Sequence, residues 1–165
     1  EDVLPNNSLG VDATRAFAYS GITTAINIYN NTKAVEMFYG CNDLKTMANI
    51  LDGVTTANGL YNSSGITNPN EKKLPDSLQW IDKMFANTSI EETINYIPAS
   101  CSSVREMFFK CSKLTKITTE FLTFMANATL SKYNRQGTFF GCYAITDPDT
   151  YSNMKNGEYA DWLNI

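Results

Sequence analysis

Histidine is absent from this chain of 165 residues. Its absence removes the usual general base near neutral pH, the commonest metal ligand, and every Ser-His or Cys-His nucleophile pair. Positive charge is also scarce. Thirteen Lys and Arg against seventeen Asp and Glu leave a net charge of -4 and a pI near 4.8. Lys72 and Lys73 are the sole adjacent cations, so there is no concentrated positive field of the kind nucleic acid requires. No apolar run approaches the roughly 20 residues of a membrane helix, and no membrane insertion is expected. No basic segment leading into an apolar stretch marks a secretion signal. The chain opens on Glu1 rather than Met, as expected of a processed chain or a piece of a longer one. The four Cys form no Cys-x-x-Cys pair, the spacing from which structural zinc often takes its ligands. Neither a metal nor a cofactor is expected.

What is present is a repeat. The length suits one domain with a buried core, and eighteen Asn and eighteen Thr suit turns and polar β-surfaces better than long helices. Residues Glu106 to Ile117, Glu-Met-Phe-Phe-Lys-Cys-Ser-Lys-Leu-Thr-Lys-Ile, echo Glu36 to Met47 and Thr138 to Thr146. Taking the aromatic of each unit as an anchor gives Phe17, Phe38, Tyr61, Phe85, Phe108 and Phe139, spaced by 21, 23, 24, 23 and 31 residues. Three residues after each anchor stands a small polar or thiol residue: Ser20, Cys41, Ser64, Thr88, Cys111 and Cys142. An aliphatic residue follows, three later after Cys (Leu44, Leu114, Ile145) and two later after Ser or Thr (Ile22, Ile66, Ile90). The split points to two versions of one turn.

After the aliphatic residue, short β-branched stretches such as Ala25-Ile26-Asn27-Ile28 suit one strand per unit. Before the anchor, Ala34-Val35-Glu36-Met37 and Val104-Arg105-Glu106-Met107 suit a single helical or 3₁₀ turn. A period of 21 to 24 residues with a strand and a turn falls in the leucine-rich-repeat range. Such units bury their apolar faces only by stacking. The expected fold is therefore an α/β leucine-rich-repeat solenoid of about six units over residues 13–150. Residues 1–12 would form an N-terminal cover or a linker, and residues 151–165 a C-terminal cap. Thr118 to Gly137 is too long for the period and is expected to hold an inserted loop or an extra helical turn.

Phe-x-x-Cys-x-x-Leu-x-x-Ile (Phe108, Cys111, Leu114, Ile117) resembles the BspA-like leucine-rich repeats, as do the connections Ile97-Pro98-Ala99-Ser100 and Leu74-Pro75-Asp76-Ser77. Units of this kind occur in surface and secreted proteins of bacteria, in some microbial parasites and in phage virion proteins. The resemblance implies a non-enzymatic recognition or adhesion module, at a cell surface or secreted, that takes a protein or glycan partner. The alternative is a structural or receptor-binding component of a larger assembly such as a phage tail, placed in a virion. The repeat carries no signal for an oligomeric state.

For the individual residues, the anchors together with Cys41, Cys111 and Cys142 are expected to form an internal core ladder. Stacked neighbours point the same way, which is poor geometry for a Cys111–Cys142 disulfide. Cys101, seven residues before its anchor, is expected to be buried as well. No catalytic residue is expected: Glu91, Glu92, Asp147 and Asp149 read as solvated turn charges. Asn6, Asn30, Asn62, Asn87 and Asn127 open Asn-x-Ser/Thr triplets, which matter only in a secreted chain whose source glycosylates. A ligand would meet the exposed strand row of the solenoid. Its candidates are Asn27, Tyr29, Asn49, Asn95 and Tyr96, with Thr24, Thr46, Glu92, Thr115 and Lys116 beside them. Exposed Tyr and Asn are typical contact residues.

Overall fold

Each aromatic anchor sits within a run of overlapping tight turns. In the first unit the amides of Ala16, Ala18 and Ser20 donate to the carbonyls of Ala13, Arg15 and Phe17. Those of Met84, Ala86 and Thr88 do the same with Ile81, Lys83 and Phe85. The first and last turns of each run place a left-handed residue third, the position that type II turns reserve for positive φ. The computed structural model describes residues 11–29, 32–146 and 159–163. Within them every residue of positive φ except Gly53 lies two before or two after an anchor. The pairs are Arg15 and Tyr19, Glu36 and Gly40, Gly59 and Ser63, Lys83 and Asn87, Glu106 and Lys110, and Gly137 and Gly141. For residues other than glycine this conformation costs roughly 1–2 kcal/mol each.

Hydrogen bonds between units offset that cost. The amides not used within the turns point along the stack and donate to the next unit. In the second unit, Ala34, Glu36, Phe38 and Gly40 donate to Thr56, Asn58, Leu60 and Asn62 at 2.8–3.4 Å. The same four positions repeat the pattern in every unit from Ala13 to Lys110. Each turn is therefore locked in register with the next, and the anchors superpose. Their rings stack face to face in the order Phe17, Phe38, Tyr61, Phe85, Phe108, Phe139, with centroids 5.6–6.0 Å apart and planes within 18° of parallel. Five of the six are fully buried, and Phe17 at the end of the column is half-buried. Each such contact contributes about 0.5–1.5 kcal/mol beyond the area it buries.

The side chains at the left-handed positions explain why few of them are glycine. Two before the anchors, Arg15 pairs with Glu36 at 2.5 Å and Lys83 with Glu106 at 3.1 Å. Each pair is followed in the next unit by a glycine, Gly59 and Gly137. A Cβ on Gly59 would meet Glu36 Cγ at 2.8 Å, so the small residue makes room for the long one before it.

Strand pairing lies elsewhere than the sequence pattern suggests. β1 (Val11–Asp12) pairs in parallel with β2 (Thr32–Lys33), and the isolated bridges Thr56↔Trp80 and Trp80↔Ser103 continue that row, five residues before each anchor. The stretches after the aliphatic residues pair only at Ile28↔Ile50 and Glu92↔Lys116. The ladder leaves its extended form where the left-handed turns begin, so the extended part of each unit is short. Val11 and Asp12, expected in the N-terminal cover, already belong to this first pairing; residues 1–10 lie outside the described residues.

The long step between Phe108 and Phe139 is filled by α1 (Thr119–Asn127) and α2 (Lys132–Arg135). Thr118 caps α1 by accepting the amide of Phe121 at 3.3 Å. Phe121 and Met125 face the core, and the Phe121 ring stands edge-on to Phe108 and Phe139 at 5.4 and 5.5 Å. α3 (Ala160–Leu163) closes this end of the column. The amides of Gly137 and Phe139, which would seek a further unit, donate to the carbonyls of Asp161 and Trp162 at 3.1 and 2.8 Å. Trp162 is fully buried, edge-on to Phe121 and Phe124. Asp161 pairs with Lys132 at 3.0 Å and Arg135 at 3.4 Å, and its bond to Lys132 holds its carboxyl below the ordinary range. Residues 151–158 of the expected cap lie outside the described residues. Among the described residues no helix is long and apolar enough to cross a membrane.

Candidate functional site

Three of the four thiols sit in one column, and each thiol has a structural partner, Cys101 donating to the Ser103 carbonyl at 3.5 Å. Cys41, Cys111 and Cys142 donate their S–H to the carbonyls of Phe17, Phe85 and Phe108, the preceding anchors, at 3.0–3.1 Å. All four cysteines are free and buried. Burial raises the Cys101 thiol to about 12 and the Cys111 thiol to about 11, and lifts Cys142 further still. A thiol that holds its proton at neutral pH is a poor nucleophile. The column also accounts for the two turn lengths. After Cys, the aliphatic amide closes one more turn, Leu44 to Cys41 and Leu114 to Cys111, both at 3.1 Å. After Ser64 the side-chain hydroxyl takes that role, accepting from Ile66 at 3.5 Å.

An open groove of about 480 Å³ crosses three units, lined by Thr67, Asn68, Pro69, Glu91, Glu92, Thr115 and Lys116. Its floor is backbone: the amides of Thr115 and Lys116 both donate to the Glu91 carbonyl. Lys116 Nζ reaches Glu92 at 3.2 Å, and the Asn70 amide nitrogen donates to the same carboxylate at 3.0 Å. Glu91, Thr115 and Lys116 are exposed. The groove thus offers carboxylates, hydroxyls and one ammonium to solvent, with apolar lining only at Pro69. Among the described residues no three His, Cys, Asp or Glu gather as a metal site would require.

The expected ligand residues divide between two places. Asn27 and Tyr29 flank Ile28, which pairs with Ile50, so Asn49 in the next unit lies beside them. Asn27 and Asn49 are exposed and Tyr29 is half-buried. Asn95 and Tyr96 stand two units further along, continuous with the groove: the Asn95 amide donates to Asn70 Oδ1 at 2.7 Å. Tyr96 is less free than its type suggests. Its hydroxyl donates to Asp76 and its ring lies 4.2 Å below Lys73 Nζ, and the Asp76 bond pushes the phenol up and that carboxyl down. Thr24 is exposed and Thr46 half-buried. Of the Asn-x-Ser/Thr residues, Asn62 is buried and accepts from Ser63 and Asn87, while Asn87 and Asn127 are exposed. Asn6, Asn30, Asp147 and Asp149 lie outside the described residues.

Sequence reasoning passed over Trp80, Asp82, Arg105 and Tyr133. Trp80, Asp82 and Arg105 lie five to three residues before their anchors, at or just after the row where the units pair, and Tyr133 lies on α2. An aromatic at a row position that is small in neighbouring units, Thr56 and Ser103, was the available signal. No protein-family model, curated protein or solved structure matches the chain. Its function is therefore read from its own surfaces.

Proposed function

We propose that the chain is a leucine-rich-repeat solenoid of the BspA-like kind, serving as a non-enzymatic recognition or adhesion module displayed at a cell surface or secreted. Its partner would be a surface protein or glycan. The observation that carries this reading is the exposed polar groove running across three stacked units, from Thr67 to Lys116. Stacked repeats bind partners through such extended surfaces, because neighbouring units supply side chains at a fixed spacing. A binding role is further supported by the chemistry of the polar groups. Glu92 is engaged by Lys116 and Asn70, and the thiols are buried behind the anchors.

A second reading, a component of a larger assembly such as a phage tail, draws on a different feature. Phe109 and Phe140 stack at 5.5 Å as a half-buried pair, and Tyr143 nearby in the sixth unit is 80% exposed. Aromatic residues are enriched at the centres of protein–protein interfaces. Light scattering combined with binding to immobilised matrix proteins and a glycan array separates the two. Saturable binding by a monomer supports recognition. A stable oligomer that binds none of the array supports assembly.

A further inference from the structure

Trp80 stands in the pairing row between Thr56 and Ser103. Its neighbours are short, so its indole rises clear of them and is 43% exposed. On α2, ahead of the sixth anchor, Tyr133 is 61% exposed, and the Arg105 guanidinium lies 4.6 Å over its ring. Arg105 Nη1 also donates to the Tyr133 hydroxyl at 2.7 Å. Asp82, two residues after Trp80 in the turn that follows, completes the patch through Ser103, the residue that pairs with Trp80. Its Oδ1 accepts from Ser103 Oγ at 2.5 Å and from the Arg105 amide at 2.9 Å. Its Oδ2 lies 3.8 Å from Arg105 Nε. Two exposed rings thus flank a carboxylate and a guanidinium that neutralise one another.

We propose that this patch is a carbohydrate platform that takes a neutral, extended pyranoside chain lying along the stack. The inference rests on the recognition reading above and names both the ligand class and the surface. Three features select the ligand. An exposed indole offers a flat apolar face to the C–H side of a sugar ring, while the polar groups beside it meet hydroxyls. The charges are already paired, so an ionic ligand finds no uncompensated partner, whereas a hydroxyl can donate to Asp82 and accept from Arg105. Trp80 belongs to the fourth unit and Tyr133 to α2 ahead of the sixth anchor, so a ligand that meets both rings must run along the stack. A protein partner fits less well, because the rings are separated by polar groups and form no contiguous apolar centre.

The test is native electrophoresis of the full chain in gels cast with hydroxyethylcellulose, xylan, galactomannan or glycol chitin. The expected result is retardation by at least one of them. Trp80→Ala and Tyr133→Ala should each weaken it by about tenfold with the thermal midpoint unchanged, and Trp80→Phe should keep most of it. Lack of retardation in all four gels overturns the proposal. So does retardation that survives Trp80→Ala but is lost in Lys116→Ala, which would place the glycan in the groove. If the unretarded chain still binds an immobilised surface protein, the carbohydrate inference falls and the recognition reading stands. If it binds neither, both fall.

Discussion

Two junctions of the column, Tyr61 to Phe85 and Phe108 to Phe139, differ in length but hardly in geometry. The first spans 24 residues and the second 31, yet their rings stack at 5.7 and 5.6 Å. Both junctions carry the same four amide-to-carbonyl bonds. The added length enters where the chain returns between turns, as α1 and α2, and Phe121 covers the column from the side. Register is set by the turns, and the return segments vary freely as long as something apolar closes over the anchors. That matches the weak dependence of loop entropy on length.

The largest expected effect tests the regular junction. Phe85→Ala removes a fully buried ring with a ring on each side and should cost about 4 kcal/mol, read as a loss of unfolding free energy in urea. Phe121→Ala should cost about 3 kcal/mol but act locally. Hydrogen exchange should quicken at the amides of Val104, Glu106, Phe108 and Lys110, which donate into the sixth unit, and stay unchanged at Ala34, Glu36 and Phe38. Equal loss of protection throughout would show that the two regions unfold as one.

Gly65→Ala probes how tightly the regular units approach each other. Its amide donates to the Cys41 carbonyl at 3.0 Å, and a Cβ there would lie 2.1 Å from the Asn42 oxygen and 2.8 Å from that of Leu44. Both obstacles are backbone, so the unit must shift. A cost of about 3 kcal/mol is expected, measured as a drop in thermal midpoint. An unchanged midpoint would mean that the return segments are looser than the turns even in the regular part.

The smallest effect concerns the thiols. Burial raises Cys101 and Cys111 to about 12 and 11 from an ordinary 9.0. Protons held in the folded chain but released from the unfolded one lower stability as pH rises above 9, while below 9 this contribution is fully present. Alkylation of the folded chain at pH 8 should therefore be slow at Cys101, Cys111 and Cys142 and complete in guanidinium. If the last junction opens more often than the regular ones, Cys142 is alkylated before Cys111. The reverse order would place the weaker junction inside the regular stack.

Much of the column was legible because side chains that meet once per turn must repeat at the period of the turn. The aromatic anchors, the thiol and hydroxyl positions and the aliphatic positions all carry that constraint in their identities. The pairing row was not legible. Its positions hold Asp12, Lys33, Thr56, Trp80 and Ser103, which follow no single residue type, because the bonds that align them are made by the backbone. The left-handed residues were hidden for the same reason. Arg15, Glu36, Lys83 and Glu106 do not announce a positive φ as a glycine would, and they adopt it because ladder bonds and an ion pair to the neighbouring unit hold them there. The candidate ligand residues show the same limit: periodicity marked them as surface positions, but the Asp76 and Lys73 contacts that tie down Tyr96 come from side chains about 20 residues away in sequence.

By itself, then, the amino-acid sequence determined the period, the buried columns and the absence of histidine chemistry, since composition and spacing are local properties of the chain. Only the tertiary structure decided which amides face the next unit, how α1 and Trp162 close the end of the column, and which polar groups share the groove. It also brought Asp82, Arg105 and Tyr133 into contact. Those contacts join residues from different units, and their formation depends on the register of the stack, which no single unit encodes.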